Sequence, residues 1–209
     1  MLKNSLLKNR VAHAYLFEGM RGTGKKEIAL LLTKSLFCEK LIEGYKPCES
    51  CNNCLRINNG NHPDVHMVEP DGLSIKVEQI RALQAEFSKK GVESFNKVYL
   101  ISHADKMSVS ASNSLLKFLE EPNPGTVAFL LTEQVQQLLP TILSRCQMLV
   151  FQPLAPQMMI KQLIENGVHP AKAPLLAQLT NNLEEALKLN VDEWFAQAQK
   201  IVVKLYEVL

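Results

Sequence analysis

The amino-acid sequence predicts an α/β fold: a parallel sheet covered by helices, carrying a metal-binding insertion and followed by a smaller all-helical domain. Three observations carry this prediction. Apolar runs of strand length alternate with helix-period segments from His13 to Phe151. A glycine-rich loop joins the first of these strands to the helix after it. Four of the five cysteines crowd into one short polar stretch.

The elements follow in order. His13 to Phe17 is a short apolar run, and Glu27 to Phe37 has helical period after the glycine-rich turn. Cys38 to Asn61 is polar, rich in Cys, Asn and Gly, and breaks the rhythm, as an insertion built around a metal would. Alternation then resumes: strand 65–68, helix 75–87, strand 97–101, helix 108–119, strand 126–132 and a last strand 148–151. Strands separated by helices are joined by crossovers, which makes them parallel and covers the sheet on both faces. After Pro153 only helices are expected, punctuated by Pro156, Gly167, Pro170 and Pro174. This sets a domain boundary near Gln152, giving domains 1–152 and 153–209, and an apolar helix is expected from Trp194 to Leu209.

Composition narrows the class. The formal charge is +2, so no whole-chain electrostatic footprint announces a nucleic-acid binder, and any contact with DNA is expected to be local. No apolar run is long enough to span a bilayer, and the start, MLKNSLLKNR, lacks the apolar core of a secretory signal. A cytoplasmic protein without a membrane partner is the expectation. In a reducing compartment, clustered cysteines point to metal ligation rather than disulfides.

The loop Gly19-Met20-Arg21-Gly22-Thr23-Gly24-Lys25-Lys26 lies between strand and helix, the context of a phosphate-binding loop. Gly19, Gly22 and Gly24 let backbone N–H groups turn toward phosphate oxygens, the helix N-terminus adds partial positive charge, and Lys25 would reach the β and γ phosphates. At the last position a serine or threonine hydroxyl should bind Mg²⁺. Lys26 offers an ammonium instead, which cannot ligate a metal and repels one. A tight turn with no ligand is the plainer alternative.

In an ATPase of this architecture a second apolar strand ends in carboxylates that hold Mg²⁺ and orient water. Here Lys97 to Ile101 ends in Ser102-His103-Ala104-Asp105. The two positions after the strand carry no acid, and Asp105 falls too late, where it is expected to cap or flank the helix from Ser108. Hydrolysis by this chain alone is therefore not expected.

Cys38, Cys48, Cys51 and Cys54 form C-x9-C-x2-C-x2-C, with paired thiolates on tight turns that can converge on one ion. A closed, structural Zn²⁺ site is the favoured reading; an iron–sulfur cluster and free buried thiols are its rivals. His62 and His66 are spare nitrogen donors nearby.

Three stretches together resemble one family: GMRGTGKK followed by the four-cysteine module, SASNSLLKFLEEPNPGTVAFLLTE, and LPTILSRCQMLVFQPL. They are similar to the clamp-loader subunits of bacterial DNA polymerase III, an AAA+ group, from Leu16 to about Leu189. The resemblance implies an AAA+ P-loop domain, a helical lid, and work with gamma/tau and delta subunits, a sliding clamp and primed DNA. The motor subunits, gamma and tau, keep a complete P-loop and an Asp-Glu pair after the second strand. Lys26, Ser102 and His103 stand at those positions here, as in a subunit that does not hydrolyse ATP. Glu184 replaces the arginine that senses the γ-phosphate in the motors. The Ser144-Arg145-Cys146 motif implies that Arg145 serves in trans as a finger toward a neighbour's ATP. On physics alone Arg145 could be a surface arginine in a salt bridge. Thr132 falls near the family's first sensor. The family's collar domain has no counterpart in this sequence, and the segment before the first strand looks cut back. Two rival functions stay open: an active ATPase of the gamma/tau kind, and a zinc-dependent nucleic-acid module. The second has a poor footprint, because Lys40, Lys46 and Arg56 are offset by Glu39, Glu43 and Glu49.

Overall fold

A computed structural model describes residues 2–8, 10–88, 93–195, 197–198 and 201. It divides into two compact units, one of residues 1–19 and 24–151, the other of residues 20–23 and 152–209.

The first unit is a five-stranded sheet in the order β2-β3-β4-β1-β5: β1 Ala14–Gly19, β2 Val65–Val68, β3 Lys97–Ile101, β4 Thr126–Thr132 and β5 Gln147–Phe151. All neighbours pair parallel, with Tyr15 opposite Phe129 and Gln147, and Tyr99 opposite His66 and Ala128. Burial explains the composition of the central strands. Every residue of β3 and β4 is buried, so they read as continuous apolar runs, whereas β5 lies at the edge and alternates between half-buried and exposed.

Successive side chains of a strand face opposite ways, and the core divides accordingly. Leu16, Tyr99, Ile101, Ala128 and Leu130 pack on one face with Leu115, Phe118 and Leu119 of α5 (Val109–Glu120) and with Ile80 and Leu83 of α4 (Val77–Ser88). Tyr15, Phe17, Val98, Leu100, Phe129 and Leu131 pack on the other with Ala29, Leu32 and Phe37 of α2 (Lys25–Phe37). The rings of Tyr15 and Phe129 stack there at 5.5 Å. Leu2 and Leu6 of α1 (Leu2–Leu7) lie against this second cluster.

Two local expectations shift. The helix expected from Ile75 starts at Val77, because Ile75, fully buried, bonds through its backbone to Lys106 and Ser108. The insertion also contains a helix, α3 (Asn52–Asn58), whose Cys54 and Ile57 turn inward three residues apart.

The second unit contains α7 (Pro156–Glu165), α8 (Ala173–Leu179) and α9 (Leu183–Val191), which bury Met159, Leu163, Val168, Leu176 and Ala186 against one another. Asn182 caps α9 by accepting the Glu185 N–H at 3.1 Å, and Glu184 lies exposed in that first turn, where an acid suits the helix dipole. Within this unit Gly22 comes so close to Asn182 that a Cβ there would lie 2.7 Å from its Cα. Most of the helix expected from Trp194 lies outside the described residues.

Candidate functional site

Parallel pairing puts the C-terminal ends of β1, β3 and β4 along one edge of the sheet, the edge at which open α/β folds bind ligands. The glycine-rich loop leaves β1 there. Gly22 and Gly24 hold φ of 80° and 82°, a region that a side chain makes costly, and Gly24 serves as the N-cap of α2. Lys25 opens that helix. It is 8% exposed, and its ammonium donates to the Gly19 carbonyl at 2.5 Å, back across the loop. Burial lowers the Lys25 pKa, partly opposed by the carboxylates of Glu133, Asp105 and Glu27.

Lys26 turns to Glu69, just past β2, with Nζ 2.9 Å from Oε1 and both side chains about half exposed. The Lys26 hydrogen bond is the chief cause that holds the Glu69 carboxyl below its ordinary range. The acid just past β2 is thus engaged by an ammonium. Beyond β3, Ser102 is buried and His103 takes a left-handed φ of 53° to start a single 3₁₀ turn, Ala104–Lys106.

Asp105 lies in the turn just before the next helix, as expected, but does not cap it. Ser108 caps α5 itself, accepting the Ala111 N–H at 3.1 Å. Asp105 Oδ1 instead accepts the Thr132 hydroxyl at 2.7 Å and the Glu133 N–H at 3.2 Å. The cause is topological: β3 and β4 are neighbours, so the turn after one meets the end of the other. Thr132, 1% exposed, is thereby fixed at the end of β4, and its oxygen also accepts the Gln134 N–H at 3.1 Å.

Arg145 follows the short helix α6 (Pro140–Leu143) and precedes β5. Its guanidinium donates to the Thr141 carbonyl at 2.8 Å, to Ser144 Oγ at 3.3 Å and to Glu120 Oε1 at 2.7 Å. The salt-bridge partner allowed by the sequence is thus Glu120, the last residue of α5, with side chains 33% and 48% exposed.

The four cysteines converge. Sγ atoms of Cys38, Cys48, Cys51 and Cys54 all lie within 4.8 Å of one another, against about 3.8 Å between sulfurs around a tetrahedral ion with bonds of about 2.3 Å. The Cys48 N–H points at Cys38 Sγ and the Cys51 N–H at Cys48 Sγ, both at 3.3 Å, an arrangement that stabilises thiolates. Hydrogen bonds from Ser50 and Cys51 bring the Cys48 thiol down to about 6, whereas burial pushes Cys54 and Cys38 up. Such a donor set can hold one metal ion. His62 is not part of it: buried against Phe37, its Nδ1 accepts the Asp64 N–H. The module is tied to α2 by Lys34, whose ammonium lies 2.6 Å from Glu49, and by the Asn53 amide on the Phe37 carbonyl.

The loop residues share one turn and the cysteines one cluster, while Arg145 finds its contacts on α5 and α6. Sequence reasoning missed Glu69, Glu120 and Glu49 as partners. Only Glu69 had a signal, as an acid at the C-terminal end of a parallel strand; the other two meet their cations across 25 and 15 residues of chain.

Comparison with known proteins gives a consistent result. A family model described as DNA polymerase III, delta subunit, matches residues 1–155. The Bacillus subtilis DNA polymerase III subunit delta' is 60% identical over 209 residues, all of this chain, which spans 63% of that relative. The Escherichia coli subunit tau is 41% identical over 197 residues, 90% of this chain and 30% of tau. Among solved structures, a gamma subunit-related protein of Thermotoga maritima superposes with a TM-score of 0.59 at 22% identity over 85% of this chain and 52% of its own, which establishes a shared fold. The family match and the 60% identity to a delta-prime subunit across this chain lead to one assignment: the chain belongs to the delta-prime family of DNA polymerase III subunits.

Proposed function

We propose that the chain is a non-hydrolysing clamp-loader subunit that helps place a sliding clamp on primed DNA, in an assembly with gamma/tau and delta subunits. Its own phosphate loop is silent, and Arg145 is offered to ATP bound on a neighbouring gamma/tau subunit. The observation that carries this reading is the engagement of two acids at this edge of the sheet: Glu69 with Lys26, and Asp105 with Thr132 and the Glu133 N–H. With Ser102 and His103 after β3, no free carboxylate among these positions can hold Mg²⁺ or orient water.

Arg145 suits the remaining role. Its guanidinium is planar, permanently charged and one-third exposed, so it can stabilise the charge that develops on a transferring phosphoryl group in a neighbour. The four cysteines would hold a structural zinc, filling all four positions and leaving none for catalysis. The helical second unit would serve as the lid of an AAA+ domain comprising residues 1–152.

The test is Arg145→Ala in the full-length subunit, reassembled with its partners. An arginine finger is worth about 10³–10⁵ in rate at its own site, so DNA-stimulated ATPase and clamp loading should fall by the share of that site. Unchanged rates would overturn the finger. Mg²⁺-dependent turnover by the isolated chain at motor-subunit rates would favour the gamma/tau-like motor, a reading supported by the 41% identity to tau.

A further inference from the structure

We propose that Glu120 is a positioning residue for the arginine finger: it fixes the Arg145 guanidinium to the rigid end of α5 so that the finger is ordered before a neighbour's ATP arrives. The inference rests on the finger reading above and names the residue through which that finger is held.

Three observations support it. First, the contacts of Arg145 to Thr141 O and Ser144 Oγ are local, within four residues, and move with the same short turn. They fix the guanidinium only relative to the turn itself, which Ile142 anchors in the core. The bond from Nη2 to Glu120 Oε1 at 2.7 Å crosses 25 residues and is the contact that ties the finger to another element. Second, that element is anchored. Glu120 directly follows Phe118 and Leu119, both buried in the core beneath β3 and β4 together with Leu115. Third, the hold leaves capacity. A guanidinium has five N–H donors, and these contacts engage three of them, which leaves two for an incoming phosphate oxygen.

A long arginine side chain has many rotamers, and holding it in one pose removes an entropy cost otherwise met at the moment of reaction. A half-exposed carboxylate does this without trapping the finger, since an ion pair this open is weak. Opposition to the phosphate is the competing consequence: Glu120 could act as a brake that must let go. The two roles differ in sign, which makes them separable.

The experiment uses the full-length subunit in the reassembled loader, with ATP, clamp and primed DNA. Glu120→Ala should lower the DNA-stimulated kcat roughly two- to five-fold, leave the KM for ATP unchanged, and leave the thermal midpoint of the subunit unchanged. Glu120→Gln keeps an oxygen for the Nη2 donor and should recover most of the rate. Glu120→Ala combined with Arg145→Ala should fall no further than Arg145→Ala alone. Faster turnover in both Glu120 variants would overturn positioning in favour of a brake. A normal rate in Glu120→Ala, with Arg145→Ala impaired, would overturn this inference and leave the finger standing. No effect of Arg145→Ala would remove both.

Discussion

Stripping the metal from the cysteine module is predicted to melt residues 38–61 while the sheet stays folded. Between those positions the buried apolar side chains are Pro47, Cys54 at 0% and Ile57 at 3% exposure. Burial of a side chain of that kind contributes about 1.5–3 kcal/mol, whereas a structural zinc contributes about 10–16 kcal/mol to the fold of a small module. A zinc ion bound there would therefore be the larger favourable contribution. The Lys34–Glu49 pair, with Glu49 48% exposed, cannot replace it, because such pairs are worth at most about 1 kcal/mol. The two clusters on either face of the sheet are built mainly from β1, β3 and β4 with α2, α4 and α5, and of the module only Ile57 enters them. Elemental analysis should find about one zinc per chain. Hydrogen exchange after chelation should then show lost protection at Leu55 and Asn59, whose amides close the turns of α3, and retained protection at Val98 and Leu100. Unchanged protection at Leu55 and Asn59 in a chain shown to be metal-free would refute the reasoning, as would a purified chain containing no metal.

The remaining predictions concern the sheet edge and the module tether. Thr132→Val removes the 2.7 Å hydrogen bond to the Asp105 carboxylate at a site only 1% exposed, which should cost about 1.5–3 kcal/mol. Urea denaturation would show it as a lower midpoint with unchanged slope, and a loss under about 0.5 kcal/mol would mean that Glu133 N–H alone satisfies Asp105. Acidification should loosen the module. The Lys34 hydrogen bond holds Glu49 below its ordinary pKa of 4.5, so the tether contributes fully above that value and is lost as pH falls through the depressed one. In Glu49→Gln the exchange rate at Asn53 and Leu55 should lose this acid dependence; an identical pH profile in the two proteins would count against the tether.

What the sequence determined by itself is whatever depends on local pattern. β2, β3 and β4 occupy the expected ranges because fully buried strands are apolar throughout, and α2 begins where the glycines end. The cysteine spacing was legible for the same reason, since C-x2-C fixes two thiolates on one turn before any tertiary contact forms. The missing acid after β3 and Lys26 in place of a hydroxyl could likewise be read letter by letter. Tertiary structure alone decided the pairings. That Asp105 serves Thr132 follows from the order β3-β4 in the sheet, which no local period encodes. That Lys26 meets Glu69 and Arg145 meets Glu120 depends on crossovers bringing residues 43 and 25 positions apart within 3 Å. The physical reason is one of range. Steric and hydrophobic periodicity act over a few residues and are written in sequence, whereas a charge or donor takes whichever partner the packed sheet delivers to it.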